Sequence, residues 1–519
     1  MRLELNAPRS VQSIEQDFVS RLFAQDATLW GPAAEKEASV RLAWTDLPSS
    51  SRPLVDIVTA LRADFLRRGL TRVVLCGMGG SSLAPEVICA AEGVPLTVLD
   101  SSHPDMVRDA LAERLEESVV VVSSKSGGTV ETDSLLRAYV DAFEQAGLKP
   151  ADHLVIVTDP ESPFDKDATA AGYLVIKADP NVGGRYSALS AFGLVPSGLA
   201  GADIGALLDG AAAARDELAT DAPDNPAVRL GTALAAACGA GVDKLILRDA
   251  SGIGLGDWIE QLVAESTGKD GHGILPVVVS AEHAINFSPS TPDGFLVVTG
   301  GMEPPESSSG YSAAIEADLG AQFLFWEAAV AVAGAGLGIN PFDQPDVESA
   351  KQAARTFLTS AGTEVTPPDV QTAGILAYDT SASTLEAAVE ELLAKVDPER
   401  GYVAVQAYLD RLALPGYAEL RELLAERTER PVTFGWGPRF LHSTGQLHKG
   451  GPATGVFLQL TDDPAQDLDV PGRDFTFGQF IAAQAAGDAQ VLEAHGRPLL
   501  RLHLTDASSA LPRLVELLS

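Results

Sequence analysis

Two segments of the sequence place small residues and hydroxyl side chains directly after an apolar run. They are Val73–Leu83 and Val119–Thr132. Each apolar, mostly β-branched run predicts a buried parallel strand, and the glycines that follow let the backbone come close to a ligand. The helix predicted after each turn would present free N–H groups and a partial positive charge. Together the two turns predict a cradle for one small phosphate group.

The polar groups of this predicted cradle are four hydroxyls and one lysine: Ser81, Ser124, Lys125, Ser126 and Thr129. A single glycine turn is weak evidence, because many α/β proteins have one for packing alone. Two turns in succession, both rich in serine and threonine, favour a phosphate site over packing.

Acid–base chemistry is suggested by two further segments. In Gly183-Gly184-Arg185 a permanent cation follows two flexible residues, and an arginine fork suits a phosphate or a developing oxyanion. Gln261 and Glu265 are four apart, so a helix would place both on one face. Glu265 precedes an abrupt helix stop and is a candidate general base. The alternatives are a surface arginine in a turn and a solvated glutamate at a helix end.

Two candidate sites lie nearer the C-terminus. Gln344 and Lys351 are seven apart and share a face if a helix starts near Pro345. His442 and His448 are six apart, which matches no standard metal motif. We therefore expect catalytic or phosphate-side roles for the histidines and no metal, with a surface lysine and a polar loop as the alternatives.

The elements that must position these residues follow an α/β pattern. Strands alternate with helices, which predicts doubly wound parallel sheets. Residues 1–50 are predicted as two helices that form a cap. Residues 51–200 are predicted as a first domain with the phosphate-binding turns, and residues 201–519 as a second domain with a C-terminal α/β extension after residue 365.

Composition limits the class of protein. The 519 residues carry a formal net charge of −34, which argues against nucleic-acid and anionic-membrane partners. Three cysteines without metal or redox spacing fit a reducing cytoplasm, and the N-terminus lacks the apolar core of a signal peptide. The most apolar stretch, Phe323–Ile339, contains Glu327 and is predicted as a buried helix.

Several of these segments resemble the glucose-6-phosphate isomerase (phosphoglucose isomerase) family. The matching pieces, in the family's order, are GMGGSSLAP, SSKSGGTVET, GGRYS, AESTGK and LGINPFDQPDVESAK, and they span residues 73–351. The chain looks most similar to the isomerase half of bifunctional transaldolase/glucose-6-phosphate isomerase proteins, although no transaldolase region is apparent. The resemblance implies two sugar isomerase (SIS) domains, each a three-layer αβα sandwich, and a homodimer.

The resemblance also implies roles for the matching residues. Arg185 would stabilise an enediolate, Glu265 would move a proton between C2 and C1, and Lys351 would contact the sugar and assist ring opening. Ring opening is also assigned to His442, by its similarity to a family segment. The substrate-binding set would be Gly80, Ser81, Ser124, Lys125, Ser126, Thr129, Gly184, Gln261 and Gln344.

The chain departs from the family pattern in two places. It has Glu-Ser-Thr-Gly-Lys where the family usually has Glu-Ser-Asn-Gly-Lys. The family's ring-opening histidine lies between the glutamate and the lysine, whereas the similar segment around His442 follows Lys351. We expect His442 to reach the same pocket as Glu265. The rival, His283, lies in a sequence context that does not match.

The expected function is an aldose–ketose isomerase that interconverts glucose 6-phosphate and fructose 6-phosphate through a cis-enediol, in glycolysis and gluconeogenesis. The resemblance implies no metal and no nucleotide cofactor. The alternatives are a bifunctional phosphoglucose/phosphomannose isomerase and a non-catalytic SIS protein that binds a sugar phosphate. We expect a sugar phosphate as the small-molecule partner, no nucleic acid and no membrane.

Overall fold

The structure is a computed structural model that describes residues 1–8, 14–346, 358, 367–372 and 374–519. The described residues form three β-sheets in which most neighbouring strands are parallel, and helices pack against them. The α/β class with mainly parallel sheets is therefore confirmed. The domain boundaries drawn from the sequence stay a prediction.

The N-terminal residues begin with a strand, β1 (Arg2–Asn6), followed by the short helices α1 (Phe18–Phe23), α2 (Pro32–Ala38) and α3 (Leu47–Ser50). The prediction of two helices over residues 1–50 is therefore wrong. Leu3 and Leu5 alternate with charged residues, which is the period of a strand with one buried face. β1 pairs antiparallel with the edge of the second sheet, where Leu3 lies opposite Ile315.

The first sheet carries the two glycine-containing turns. Its strands are β2 (Arg72–Gly77), β3 (Thr97–Leu99), β4 (Ser118–Ser123), β5 (Leu154–Thr158) and β6 (Leu174–Lys177), in the order β3-β2-β4-β5-β6, all parallel. The accompanying helices are α4 (Pro53–Arg67), α5 (Leu83–Glu92), α6 (Pro104–Ala112), α7 (Val130–Gln145), α8 (Pro163–Ala170) and α9 (Ala191–Ala200). Gly77 lies opposite Ser123, so β2 and β4 end side by side and both turns open at one edge of the sheet.

The second sheet carries the predicted base. Its strands are β7 (Lys244–Asp249), β8 (Leu275–Val279), β9 (Gly294–Thr299) and β10 (Ser312–Glu316), in the order β1-β10-β9-β7-β8. Its helices are α10 (Ile204–Leu218), α11 (Pro226–Gly239), α12 (Leu255–Thr267) and α13 (Leu319–Leu337). Helix α12 follows β7 and ends within two residues of Glu265, as the sequence predicted.

Helix α13 is the one described helix long and apolar enough to cross a membrane, but 83% of its apolar window is buried inside the protein. It packs against α10, α11 and α12 as a core helix, in agreement with the sequence prediction. Glu327 lies at its centre with no exposed surface. Burial raises the pKa of this carboxyl well above its usual value, so the group is neutral in the core.

The third sheet belongs to the C-terminal part of the chain. Its strands are β11 (Val370–Thr372), β12 (Ile375–Tyr378), β13 (Tyr402–Tyr408), β14 (Val432–Trp436), β15 (Gly455–Asp462) and β16 (Leu499–Leu504), in the order β11-β12-β16-β15-β13-β14. Its helices are α14 (Leu385–Leu393), α15 (Leu420–Thr428), α16 (Gly445–Gly450), α17 (Phe477–Ala494) and α18 (Ala507–Leu518). A separate hydrophobic core that includes Leu424, Leu458 and Leu502 fills the space between this sheet and its helices.

Buried ion pairs hold the third sheet and its helices against the rest of the protein. Arg411 Nε lies 3.0 Å from Asp100 Oδ1, and Arg439 Nη1 lies 3.2 Å from Asp100 Oδ2. Both arginines also pair with Glu86 of helix α5. Asp100 is fully buried. The two arginines balance the charges of Asp100 and Glu86, so removing either arginine would leave this cluster with one uncompensated negative charge. These contacts fix the segment after β14, which contains His442, against the first sheet and its helix α5.

Candidate active site

The first turn packs too closely for side chains. A Cβ on Gly80 would lie 2.0 Å from the carbonyl oxygen of Gly184. Gly79 has φ +54°, and a Cβ there would lie 2.8 Å from the carbonyl oxygen of His442 and 2.9 Å from Gln261 Nε2. The glycines are therefore required by close approach, and they bring three predicted site residues to one place.

The second turn is more exposed to solvent, with Ser126 and Gly128 exposed. Ser124 Oγ accepts a hydrogen bond from the Gly127 N–H at 3.1 Å, and Ser126 Oγ accepts one from the Gly128 N–H at 3.2 Å. Ser126 is exposed, and Thr129 directly precedes helix α7 and is half-buried. The hydroxyls of Ser124 and Ser126 therefore shape their own turn, which lies at the sheet edge where the first turn also begins.

Lys125 points to a neighbouring loop. Its ammonium lies 2.7 Å from Asp159 Oδ2 and donates to the carbonyl oxygen of Pro180 at 3.0 Å. The lysine is thus engaged in an ion pair beside the turn, and its role toward a phosphate stays a prediction.

Arg185 and Glu265 form a buried ion pair. The distance from Arg185 Nη1 to Glu265 Oε1 is 3.0 Å, and the side chains are 4% and 12% exposed. The same Nη1 donates to Gln344 Oε1 at 3.0 Å. The structure therefore brings the predicted base, the predicted oxyanion-stabilising cation and one predicted substrate contact together.

Backbone oxygens complete the surroundings of the guanidinium. Arg185 Nη2 donates to the carbonyls of Pro341 and Asp343, at 2.8 and 2.9 Å, and Nε donates to Ser266 Oγ at 3.0 Å. Because each nitrogen of the planar group is engaged, the fork has one defined orientation.

Gln261 holds the other oxygen of the candidate base. Its Nε2 donates to Glu265 Oε2 at 3.1 Å and to the carbonyl oxygen of His442 at 2.8 Å. Both side chains lie on one face of α12, as their spacing predicted. The carboxylate of Glu265 is therefore held from both sides, by Arg185 and by Gln261.

His442 reaches this region from the C-terminal part of the chain. It ends a short 3-10 helix, Arg439–His442, that follows β14. Its Nε2 lies 3.0 Å from Glu131 Oε1, and the same oxygen accepts a hydrogen bond from Gln484 Nε2 at 2.7 Å. His442 is 13% exposed. The backbone carbonyl of His442, not its ring, is linked to Glu265 through the side-chain amide of Gln261.

Glu131 was missed by the sequence analysis although it lies inside the quoted segment SSKSGGTVET. The sequence feature that could have indicated Glu131 is its position as an acidic residue in the first turn of the helix that follows the predicted phosphate-binding turn. Gln484, on helix α17, gave no local signal, because its partner Glu131 is 353 residues away in sequence.

Two other predictions have different outcomes. Lys351 lies outside the described residues. His448, expected to be catalytic or phosphate-side, is instead a core histidine, 3% exposed, with Nδ1 3.0 Å from Tyr402 Oη and its ring packed against Phe457. Burial, with smaller effects from Lys449 and Arg497, lowers the pKa of His448 to about 3. It stays neutral in the core.

Metal ligation was not expected from the sequence. Across the described ranges, no group of three or more histidine, cysteine, aspartate or glutamate side chains is arranged to hold a metal ion.

The fold and the site define an α/β protein with two hydroxyl-rich turns next to a buried carboxylate–guanidinium pair. The family model described as phosphoglucose isomerase matches residues 63–284. A probable glucose-6-phosphate isomerase from Natronomonas pharaonis is 32% identical over 336 residues, which cover 55% of this chain and 78% of the relative. The chain belongs to the phosphoglucose isomerase family, and it is an isomerase.

Other relatives agree with this assignment. A glucose-6-phosphate isomerase from Citrifermentans bemidjiense is 30% identical over 352 residues, 56% of this chain and 66% of the relative. One from a Synechococcus species is 28% identical over 462 residues, 76% of this chain and 79% of the relative. The family resemblance seen in the sequence is thus confirmed.

Solved structures show the same fold. A hypothetical protein from Thermus thermophilus aligns with a TM-score of 0.57 and 25% identity, over 69% of this chain and 100% of that chain. A glucose-6-phosphate isomerase from Chlamydia trachomatis aligns with a TM-score of 0.50 and 21% identity, over 68% of this chain and 80% of that chain.

Proposed function

We propose that this protein interconverts D-glucose 6-phosphate and D-fructose 6-phosphate. The observation that carries the proposal is the Glu265 carboxylate, held between Arg185 and Gln261 beside the two turns. The names of the relatives supply the substrate pair. The turn hydroxyls and the helix N-termini would bind the phosphate.

Glu265 would perform the proton transfer. Its carboxylate takes the proton from C2 of the open-chain aldose, which leaves a cis-enediolate with the negative charge on O1. A proton moves from O2 to O1 through the cis-enediol, and Glu265 then returns its proton to C1, which gives the ketose. A single carboxylate is sufficient because C1 and C2 of the planar intermediate present the same face to it. The orientation of Glu265 between two donors keeps it aligned for both steps.

Arg185 would stabilise the negative charge that develops on the intermediate. Its guanidinium is oriented by backbone carbonyls before any substrate binds. A preorganised donor in a water-poor site stabilises developing charge without having to reorganise. Substrate oxygens would then share the guanidinium with Glu265 and Gln344.

His442 would assist ring opening. An ionised Glu131 carboxylate would only accept hydrogen bonds, so its contact with His442 would place a proton on Nε2 of the imidazole. That leaves Nδ1 as the ring atom available for proton exchange with the sugar. Glu131, oriented by Gln484, would fix the imidazole.

The ring-opening role has a specific test. Because sugar rings also open spontaneously in water, His442→Ala should slow turnover of cyclic substrate more than turnover of the open-chain form. An equal loss on both forms would mean that His442 serves structure or binding. No loss on either form would move the role to Lys351 or to His283, which is exposed in the loop after β8.

A coupled spectrophotometric assay tests the proposed function. Purified protein is given glucose 6-phosphate, fructose 6-phosphate or mannose 6-phosphate in separate reactions. We expect rapid turnover of the first two substrates. Comparable turnover of mannose 6-phosphate would extend the function to a phosphoglucose/phosphomannose isomerase, and binding without turnover of any of the three would contradict the proposal.

The cellular setting is part of the same proposal. We infer a cytoplasmic enzyme that serves glycolysis and gluconeogenesis and acts as a homodimer. Three free cysteines support a reducing compartment: Cys76, Cys89 and Cys238. Light scattering on the purified protein would measure its mass against the 54.1 kDa of one chain, and a monomer that remains fully active would contradict the dimer.

A further inference from the structure

Lys269 is a buried lysine to which the proposed mechanism assigns no task. It follows α12 by two residues, and its side chain is 2% exposed. Its Nζ donates to three oxygens: the carbonyl of Asn340 at 2.7 Å, the carbonyl of Asp343 at 2.6 Å and Oδ1 of Asp343 at 2.6 Å. All three acceptors belong to the turn between Asn340 and Asp343.

The number of acceptors equals the number of protons on an ammonium group. A protonated lysine has three N–H donors, whereas a neutral amine has two. Deprotonation of Lys269 would therefore leave one of the three oxygens without its donor and would remove the counter-charge of the Asp343 carboxylate. The arrangement needs the charged form.

The same turn also holds Arg185. The carbonyl of Asp343 accepts hydrogen bonds from both Lys269 Nζ and Arg185 Nη2, and the carbonyl of Pro341 accepts a second bond from Arg185. Gln344, the next residue in the chain, contacts Arg185 Nη1. A shift of the turn would thus be transmitted directly to the guanidinium that pairs with Glu265.

We propose that Lys269 is a positioning residue for isomerisation: its ammonium fixes the Asn340–Asp343 turn, and the turn fixes Arg185 against Glu265. The inference rests on the proposed isomerase function, because it assigns Arg185 and Glu265 to the reaction. Lys269 itself does not touch the substrate. Its protonation is coupled to turnover through the geometry of Arg185.

The surroundings of Lys269 place this coupling in an accessible pH range. Burial and, to a smaller extent, the Arg185 guanidinium lower the pKa of Lys269 to about 8, while Asp343 and Glu265 oppose the shift. Among the residues that the structure describes, these three are the charged groups that act on the ammonium. We therefore expect kcat to fall as the pH rises above about 8.

A loss of folding stability caused by deprotonation of Lys269 would not explain this fall in kcat. The pKa of Lys269 is lower in the folded state than the usual value of 10.5, so the unfolded chain binds more protons between about pH 8 and about pH 10.4. The contribution of Lys269 to stability therefore rises with pH in this window. Turnover and the contribution of Lys269 to stability should change in opposite directions.

Kinetics of Lys269 variants test the proposal. Lys269→Met keeps the length of the side chain but has no donors, and it should lower kcat about 10- to 100-fold with KM changed less than about threefold. Lys269→Arg keeps a permanent charge, so it should recover part of kcat and move the alkaline fall in kcat upward by about one pH unit or more.

Lys244→Met is the matched control. Lys244 is also a buried lysine, 1% exposed, but it pairs with Asp243 and Asp293 away from the site. The control should retain the kcat and the alkaline limb of the wild type. An equal loss of kcat in both methionine variants would assign the effect of Lys269 to general stability and would overturn the proposal.

A direct titration keeps the proposal testable if Lys269→Met does not fold. In wild-type protein with ¹³C-labelled lysines, the resonance absent from Lys269→Arg reports this ammonium without any assay of turnover. A titration midpoint that coincides with the alkaline fall in wild-type kcat supports the coupling. A midpoint above pH 10, or an unchanged alkaline fall in Lys269→Arg, contradicts it. If the wild-type protein had no isomerase activity, the proposed function would be contradicted, but the titration would still report the charge of Lys269.

Discussion

The two halves of the candidate site are built differently. Around Arg185 and Glu265, buried charged groups are held by backbone carbonyls and by each other. In the turn from Ser124 to Thr129, the hydroxyls of Ser124 and Ser126 accept hydrogen bonds from N–H groups of their own turn, and the side chains of Ser126 and Thr129 are exposed or half-buried. The difference indicates that the charged half is preorganised for chemistry, and that the hydroxyl half can adjust to a ligand.

This comparison predicts two kinds of kinetic defect. Changes in the charged half should lower kcat, because they alter groups that act in the transition state. Changes in the hydroxyl half should raise KM, because they alter binding that the ground state and the transition state share. A variant with the opposite defect would contradict this assignment of kcat effects to the charged half and KM effects to the hydroxyl half.

The largest effect is expected for Glu265→Gln. The amide cannot accept the C2 proton, so kcat should fall by about 10²- to 10⁴-fold while the fold is kept. Glu260→Gln is the matched control on the same helix, because Glu260 lines a separate cleft between α12 and β14. Steady-state kinetics and circular dichroism check both variants, and near-normal kcat in Glu265→Gln would refute the assignment of the base.

The second largest effect is expected on the free energy of unfolding, for a substitution in the first turn. Gly80→Ala would force a Cβ to within 2.0 Å of the Gly184 carbonyl oxygen, and such overpacking costs about 1–3 kcal/mol or more. In contrast, a Cβ on Gly184 would meet nothing within 4 Å. Urea unfolding should show a clear loss for Gly80→Ala and little change for Gly184→Ala. Equal midpoints would show that the turns do not pack in this way.

A smaller effect is expected in the hydroxyl half. Ser126→Ala and Thr129→Ala should each raise KM for glucose 6-phosphate about tenfold, since a hydrogen bond to a charged group contributes about 1.5–3 kcal/mol and Ser126 is exposed. kcat should stay within about threefold of the wild type. Ser39→Ala, at an exposed serine outside the site, should change neither value. A fall in kcat without a rise in KM would place these hydroxyls in the charged half.

The smallest expected effect is that of chelation. Incubation with EDTA followed by desalting should leave kcat unchanged, because the proposed chemistry uses only protein side chains. Loss of activity that Zn²⁺ or Mn²⁺ restores would point to a metal-dependent isomerase instead.

The hydroxyl half could be predicted from the sequence because its signals are local. A strand, a glycine-containing turn and a helix follow one another within about a dozen residues, twice. The α/β class could be predicted for the same reason. The prediction that Gln261 and Glu265 share one helix face also depended only on their spacing in the sequence.

Several contacts of the charged half could not be predicted in this way. Lys269 and Arg185 meet at the carbonyl of Asp343, 74 and 158 residues away. The carboxylate of Glu131 contacts His442 and Gln484, which lie 311 and 353 residues later in the sequence. Strand β1 was missed because an alternation over only five residues is a weak signal, and its partner strand comes about 300 residues later.

Isotope exchange at C2 tests directly whether Glu265 moves a proton between C2 and C1. Glucose 6-phosphate deuterated at C2 is converted in ordinary water, and the fructose 6-phosphate formed is analysed by NMR. A carboxylate that holds the proton between two steps should deliver part of the deuterium to C1 and exchange part with water, and Glu265→Gln should abolish both. Full exchange and turnover in Glu265→Gln would contradict the account.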